Sequence, residues 1–193
     1  MNLPNLLTLS RIGLTGAVMI CLFSPGVAAK VLALGCFAVA CATDWLDGRL
    51  ARARRQATPF GALMDPIADK VLVLSVFLAF VQLGLLPAWM VVLIITRELL
   101  ITGLRLLAIS SGRVLPALSF GKHKTFWQMC TIVTILLLLI LRDAAPRWLP
   151  GAAADVQFWT AAISYGAGLF TVGMTLLSGA QFLWVHRDLL RHG

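Results

Sequence analysis

Four aspartates lie within one stretch of 26 residues, and their spacing could create a site for chemistry on phosphate. Asp44, Asp47, Asp65 and Asp69 make up half of the 8 acidic residues in the chain. Residues three or four apart lie on the same side of a helix, so each pair would share a face. Long apolar runs precede Asp44 and follow Asp69. The pattern therefore predicts two helix ends, joined by a basic turn, that present four carboxylates to each other at the edge of a membrane.

Four neighbouring carboxylates repel one another unless a cation lies between them. A donor set made only of oxygens suits a hard divalent cation, Mg²⁺ or Mn²⁺, and does not suit zinc. Two such ions, about 3.5–4 Å apart, can hold a phosphate or diphosphate during a displacement. The competing interpretation is simple ion pairing with the nearby basic residues, which are Arg49, Arg52, Arg54 and Arg55. Ionisable groups at membrane depth are costly and usually functional, so the sequence favours the metal site.

The same stretch carries a longer signature. The pattern Asp44-x₂-Asp47-Gly48-x₂-Ala51-Arg52-x₈-Gly61-x₃-Asp65-x₃-Asp69 resembles that of the CDP-alcohol phosphotransferase family, with no position missing. Within this family the resemblance is greatest to the bacterial members that make phosphatidylglycerol phosphate. It extends to about Gln128 through three further stretches: Asn2-Leu-Pro-Asn-Leu-Leu-Thr8 with Arg11, Thr96-Arg-Glu-Leu99, and Gly121-Lys-His-Lys-Thr125 with Gln128. The last third of the chain matches only in hydropathy.

The resemblance implies specific roles for the aspartates. Asp44 and Asp65 would bridge two divalent cations, Asp47 would complete the first site, and Asp69 would complete the second. Asp69 would also take the proton from the attacking hydroxyl.

The resemblance also implies contacts with CDP-diacylglycerol. Arg52 suits a phosphate, because guanidinium forms charge-assisted hydrogen bonds. Small residues let the nucleotide approach the backbone. Helix capping is the alternative for the N-terminal pair, and helix packing is the alternative for the small residues. The implied set is Asn5, Thr8, Gly48, Ala51, Arg52, Thr58 and Gly61.

An anionic acceptor needs cationic partners, and the second half of the resemblance offers four. Arg97 and Arg105 are eight residues apart and would share a helix face. Lys122 and Lys124 precede the next apolar run, where lysines also serve membrane topology. For Arg97, an internal ion pair with Glu98 is the alternative. We expect Arg105 to make closer contact with the acceptor than Arg97, because it lies nearer the cytoplasmic end.

The implied reaction transfers the phosphatidyl group from CDP-diacylglycerol to sn-glycerol 3-phosphate, giving phosphatidylglycerol phosphate and CMP. Other acceptors stay open: inositol phosphate, serine or a second phosphatidylglycerol. A divalent-cation transporter is the alternative that is not an enzyme, since intramembrane carboxylates also line cation paths. The clustering of the aspartates at one edge argues against it.

Composition and hydropathy define the class of protein. The 193 residues are 60% apolar and 12% charged, which predicts an all-α integral membrane protein made of a single domain, 1–193. The net charge is +8, and the basic residues cluster in short loops between apolar runs. Such clusters are typical of cytoplasmic loops that attract anionic lipid headgroups, so we expect no nucleic-acid partner. The expected spans are 6–23, 27–46, 61–83, 89–109, 126–141 and 158–184.

This loop pattern predicts six transmembrane helices with both termini in the cytoplasm and a polar active-site cavity on that side. We expect a multi-pass protein of the bacterial inner membrane. The resemblance further implies a homodimer.

Overall fold

The computed structural model describes residues 3–54, 59–110 and 119–185, with side chains for 10–43, 70–108 and 124–185. These residues form six α-helices and one short 3₁₀ turn. In chain order the helices are α1 Leu3–Phe23, α2 Val27–Arg54, α3 Pro59–Gln82, α4 Ala88–Ser110, α5 Ser119–Trp148 and α6 Ala153–Val185, with the 3₁₀ turn Pro150–Ala152 before α6. The predicted all-α architecture is therefore confirmed.

Several helices extend beyond the predicted spans. Helix α2 continues to Arg54, although its apolar run ends at about 46, so Gly48, Ala51 and Arg52 are helical rather than part of a turn. Helix α3 begins at Pro59, two residues before Gly61. Arginine and alanine are good helix formers, so the helix runs on past the end of the apolar segment.

Helix α5 is also longer than predicted at both ends. It begins at Ser119, so Lys122 and Lys124 lie in its first turns and not in a loop. It ends at Trp148 with Pro146 inside it, although the predicted span ends at about 141. Hydropathy marks where a helix would leave a membrane, and the hydrogen-bonded backbone can continue beyond that point.

The two short connections at the end of the bundle away from the aspartates each use a glycine in the left-handed region. Gly26, between α1 and α2, has φ 96°, and Gly84, between α3 and α4, has φ 71°. Glycine reaches this region without steric cost, because it has no Cβ. Each connection reverses the chain, so α1 and α2, like α3 and α4, run in opposite directions.

Contacts between helices establish the remaining directions. Helix α5 runs antiparallel to α2, since Lys30 Nζ lies 3.9 Å from Asp143 Oδ2 and Cys41 Sγ lies 3.8 Å from Met129 Sδ. Helix α6 runs parallel to α4: Gly168 packs against Met90, and Gly179 packs further along against Arg97. The end of α2, the start of α3, the end of α4 and the start of α5 therefore lie at one end of the bundle, which we call the aspartate end.

The distribution of side chains is that of a protein surrounded by lipid. Large apolar side chains are exposed along every helix, among them Ile20, Leu32, Leu78, Leu107 and Phe158. The interior combines an apolar core with many buried polar groups. The core includes Leu22, Phe37, Phe77, Phe80, Met90, Ile94, Ile132, Leu136 and Leu139. The buried polar groups include Arg11, Lys30, Glu98, Lys124, Gln128, Thr131, Thr171 and Thr175.

Among the described residues, two stretches are long and apolar enough to cross a bilayer, Lys124–Trp148 and Pro150–Val185. Ser10–Phe23, Val27–Thr43 and Lys70–Gln82 are shorter apolar stretches. The protein is thus built from apolar helices of a kind suited to a membrane.

Candidate active site

The backbone brings the four aspartates to the same end of the bundle. Asp44 and Asp47 lie on α2, and Asp65 and Asp69 lie on α3. Because both segments are helical, the Cα positions of each pair lie on one side of their helix. Helix α1 packs against both α2 and α3, and so does α5. These two helices hold the aspartate-bearing helices in a common framework.

The chemistry of this donor set fits a pair of Mg²⁺ or Mn²⁺ ions, since four carboxylates supply only hard oxygen ligands. The side chains of the four aspartates lie outside the described residues. Among the side chains that the structure does describe, no group of three or more His, Cys, Asp or Glu could hold a metal ion. The metal prediction therefore rests on residue type and on the helical spacing of the backbone.

A cluster of charged side chains connects α3, α4 and α5, and we call it the Glu98 cluster: Glu98, Lys70, Arg97 and Lys124. Glu98 is only 6% exposed. Its Oε1 is paired with Lys124 Nζ and lies 3.3 Å from Arg97 Nη1. Its Oε2 lies 3.6 Å from Lys70 Nζ. Two of the four residues predicted to bind the acceptor thus meet on one carboxylate.

Lys70, which directly follows Asp69, turns toward α4. Its Nζ donates to Thr102 Oγ1 and, at 3.4 Å, to the carbonyl oxygen of Glu98. Thr102 Oγ1 donates to the same carbonyl at 2.7 Å. Lys70 is therefore fixed inside the bundle and does not extend along the helix toward water.

The two arginines of α4 both contact α6, as their eight-residue spacing predicts. Arg97 Nη2 donates to Ser178 Oγ at 3.0 Å. The guanidinium of Arg105 lies over the ring of Phe182, 5.5 Å from its centroid, in a cation–π contact. Arg97 also makes the ion pair with Glu98 that was the structural alternative. Arg97 is thus a member of the Glu98 cluster and Arg105 is not. The sequence predicted the closer acceptor contact for Arg105.

Three buried N–H donors in this region have no hydrogen-bond acceptor among the described atoms. They are Arg97 Nε, Arg105 Nε and Gln128 Nε2. Gln128 is 4% exposed and lies one helical turn after Lys124 on α5. Buried donors without an acceptor are costly, so each of them favours a nearby anion.

The remaining predicted contacts lie outside what the structure describes. Thr58 falls between the described segments, and for the others only the helical backbone is described. These residues are Asn5, Thr8, Gly48, Ala51, Arg52, Gly61 and Lys122. Their roles stay predictions.

Comparison with known proteins identifies the family. The model of the CDP-alcohol phosphatidyltransferase family matches residues 1–176. The chain belongs to this family. The match covers both aspartate-bearing helices and the whole Glu98 cluster, and it extends into α6, well beyond the point at about Gln128 where the sequence resemblance was recognised.

Curated members of the family are similar over most of the chain. A "Probable phosphatidylglycerophosphate synthase" of Mycobacterium tuberculosis is 48% identical over 139 residues, which are 70% of this chain and 66% of the relative. A "CDP-diacylglycerol--glycerol-3-phosphate 3-phosphatidyltransferase" of Bacillus subtilis is 40% identical over 70% of this chain and 77% of its own length. A relative of the same name from Pseudomonas fluorescens is 37% identical over 96% of this chain and 92% of its own.

Sequence reasoning missed the central position of Glu98 and the contact of Lys70 with α4. Two signals were available. Glu98 is the only acidic residue of α4, and Lys70 is the first basic residue after Asp69. Each is costly to bury in a membrane unless it is paired, so their coexistence in neighbouring helices favoured a mutual contact.

Proposed function

We propose that this chain transfers the phosphatidyl group of CDP-diacylglycerol to sn-glycerol 3-phosphate, releasing CMP and forming phosphatidylglycerol phosphate for phospholipid biosynthesis. The observation that carries the proposal is the complete aspartate signature at one end of the bundle, on the same end as a buried basic cluster. Relatives bearing the names of this activity, at 37–48% identity, support it.

The protein is a multi-pass protein of the bacterial inner membrane, with six transmembrane helices and one domain over 1–193. The shortest helix, α1, has 21 residues and so extends about 32 Å, close to the thickness of a bilayer core. Alternating helix directions bring the start of α1, the end of α6, and the α2–α3 and α4–α5 connections to the aspartate end. Lysines and arginines are abundant there, and this supports a cytoplasmic location for that end and for its polar active-site cavity.

Asp44, Asp47, Asp65 and Asp69 are the residues that would hold two divalent cations. Bound ions of this kind supply positive charge to the diphosphate of CDP-diacylglycerol and to the departing CMP. Arg52 contacts the diphosphate, and the small residues Gly48 and Gly61 allow the nucleotide to approach the helices closely. Asn5, Thr8, Ala51 and Thr58 complete the nucleotide contacts.

In the transfer, a hydroxyl oxygen of glycerol 3-phosphate forms a bond to the phosphorus that carries diacylglycerol. The bond from this phosphorus to the oxygen shared with CMP breaks, and CMP leaves with the electron pair. Asp69 accepts the proton of the attacking hydroxyl. Holding the hydroxyl in line with the leaving group supplies much of the rate, because an oriented reaction avoids the entropy loss of an encounter.

The phosphate of the acceptor lies against basic residues of α4 and α5, namely Arg97, Arg105, Lys122 and Lys124. Lys124 and Arg97 are already fixed by Glu98, and Arg105 is fixed by Phe182. A dianionic acceptor should bind this basic surface more tightly than serine, which carries no net charge. The buried donors Arg97 Nε and Arg105 Nε support the same location.

The test is an acceptor panel with purified protein in detergent or liposomes. We expect release of CMP from labelled CDP-diacylglycerol with glycerol 3-phosphate, and none with inositol phosphate, serine or phosphatidylglycerol. Release with one of these acceptors instead would overturn the acceptor while keeping the family. Asp69→Asn separates a transferase from a cation transporter. The variant should release no CMP, and the wild type should show no metal flux in liposomes; metal flux that depends on Asp69 would favour transport.

A homodimer, implied by the family resemblance, is part of the same proposal. Gly166 and Gly173 on α6 are exposed, and no described atom lies within 4 Å of a Cβ built on either. Small residues on an open helix face allow close contact with another helix. Cross-linking of cysteines introduced at these two positions in native membranes tests for this contact, and absence of the dimeric product would refute it.

A further inference from the structure

The Glu98 cluster has more basic groups than its single carboxylate can neutralise. Glu98 is contacted by Lys70 from α3, Arg97 from α4 and Lys124 from α5. A buried carboxylate can balance one of these charges, and the remaining positive charge is held in a largely apolar interior. Such a cluster is stable when a second anion completes it.

The same carboxylate links two parts of the proposed active site. Lys70 adjoins Asp69 in the chain, and Lys124 is a predicted contact for the acceptor phosphate. Through Glu98, the position of the Lys124 ammonium is tied to the helix that carries Asp65 and Asp69. Lys124 is only 4% exposed, so it has few alternative positions.

The neighbouring donors indicate where an anion would complete the cluster. Arg97 Nε and Gln128 Nε2 have no acceptor among the described atoms. Arg97 is a member of the Glu98 cluster, and Gln128 lies one helical turn after Lys124. Arg97 uses its two terminal nitrogens on Glu98 and Ser178, which leaves Nε for another acceptor. Gln128 lies on the same face of α5 as Lys124.

We propose that Glu98 is a positioning residue for the acceptor. Its carboxylate aligns Lys124 and Arg97 so that their remaining donors, with the Gln128 amide, receive the phosphate of the acceptor beside Asp69. The inference rests on the proposed function. It assigns to Glu98 a role in acceptor affinity through the basic residues it holds, in addition to any contribution to stability.

The central experiment compares Glu98→Gln with the wild type in the CMP-release assay, with each substrate varied in turn. Glutamine keeps the shape and removes the charge, so the basic groups repel and lose their alignment. We expect KM for glycerol 3-phosphate to rise about 10- to 100-fold. KM for CDP-diacylglycerol and kcat at saturating acceptor should change less than about threefold, because the charge acts on acceptor binding.

Asp143→Asn is the matched control. Asp143 is also a carboxylate in an ion pair between helices, with Lys30 at 3.9 Å, but it lies at the opposite end of α5. This variant should leave both KM values unchanged. If Glu98→Gln raises both KM values equally, or lowers only thermal stability and leaves both KM values unchanged, Glu98 is structural and the inference is wrong.

Two further variants extend the test. Glu98→Asp keeps the charge on a shorter side chain and serves if Glu98→Gln does not fold: its acceptor KM should rise about two- to tenfold with KM for CDP-diacylglycerol unchanged, and an equal change in both KM values would overturn the inference. In Glu98→Gln combined with Lys124→Met, the acceptor KM should exceed that of Lys124→Met by a smaller factor than Glu98→Gln causes in the wild type, because only the alignment of Arg97 is left to lose. A multiplicative effect of the two substitutions would show that Glu98 does not act through Lys124.

The wild type separates this inference from the function on which it rests. If the wild type releases no CMP with glycerol 3-phosphate, the proposed function fails and the inference fails with it. If the wild type is active and Glu98→Gln has an unchanged acceptor KM, only the inference fails.

Discussion

Replacing Gly168 by alanine tests the close contact of α6 with Met90 of α4 and with Leu86 in the connection before α4. A Cβ at this position would lie 2.6 Å from Leu86 Cδ2 and 3.1 Å from Met90 Sδ. Carbon atoms in good contact are about 3.5–4.0 Å apart, so Leu86 must move by about 1 Å. Leu86 is 3% exposed and Met90 is fully buried, so the displaced atoms meet other core side chains. Overpacking of this kind costs about 1–3 kcal/mol.

Gly35→Ala on α2 is the matched control. Gly35 is exposed within its helix, and no described atom lies within 4 Å of its built Cβ. Both substitutions carry the same helix-propensity gain of about 1 kcal/mol, which cancels in the comparison. The difference between the two variants therefore measures packing alone. For a chain of this size, 1–3 kcal/mol corresponds to an apparent unfolding midpoint lower by about 2–12 °C.

The assay is thermal unfolding of both purified variants in the same detergent, followed by circular dichroism. Acceptor KM supplies a second readout, because Ser178 and Phe182, which contact the two arginines, lie further along α6. Gly168→Ala should raise acceptor KM while Gly35→Ala leaves it unchanged. Midpoints that agree to within about 1 °C would refute the packing argument.

Three other predictions follow from the same structure. Asp69→Asn should reduce CMP release at least about 100-fold, and a chelator should abolish wild-type release until Mg²⁺ or Mn²⁺ is restored, as measured with labelled CDP-diacylglycerol. Lys30→Met should lower the unfolding midpoint without changing either KM, because Lys30 Nζ donates to the carbonyl oxygens of Leu22 and Ser24 at 2.7 and 2.6 Å, far from the aspartate end. Thr131→Val and Thr171→Val should each lower the free energy of unfolding by about 0.6–1.7 kcal/mol. The double variant should lower it by less than the sum of the two, because the two hydroxyls share one hydrogen bond of 2.7 Å. Additive shifts in the unfolding midpoint would contradict this.

The helices could be predicted from the sequence because each contains a long apolar run that must be buried in protein or lipid. Their ends could not be predicted from hydropathy. The segment after Asp47 is rich in arginine and alanine. The arginines end the apolar run, but both residue types favour a helix, so the helix continues. The first turns of α5 contain Lys122 and Lys124 for the same reason. At these positions the edge of the apolar segment and the end of the helix are different boundaries.

The site could be predicted where the argument stayed within one helix. The eight-residue spacing of Arg97 and Arg105 gave a shared face, and both side chains contact α6. Partners on other helices were beyond the sequence, because they depend on which helices pack together and on the rotation of each about its axis. The pairing of Lys124 with Glu98 joins residues 26 positions apart, and no local spacing encodes it.

The two ends of the bundle differ in how completely their buried charges are satisfied. Away from the aspartates, Lys30 Nζ donates to two carbonyl oxygens and lies near Asp143, so this buried charge has its own partners. Toward the aspartates, one carboxylate faces three basic side chains, and Arg97 Nε and Gln128 Nε2 have no described acceptor. An N–H donor that is buried without an acceptor is costly, so these two nitrogens favour a nearby anion. The difference between the buried charges at the two ends supports the proposal that a phosphorylated acceptor binds at the aspartate end, where a transferase of this family needs to bring it to an activated lipid.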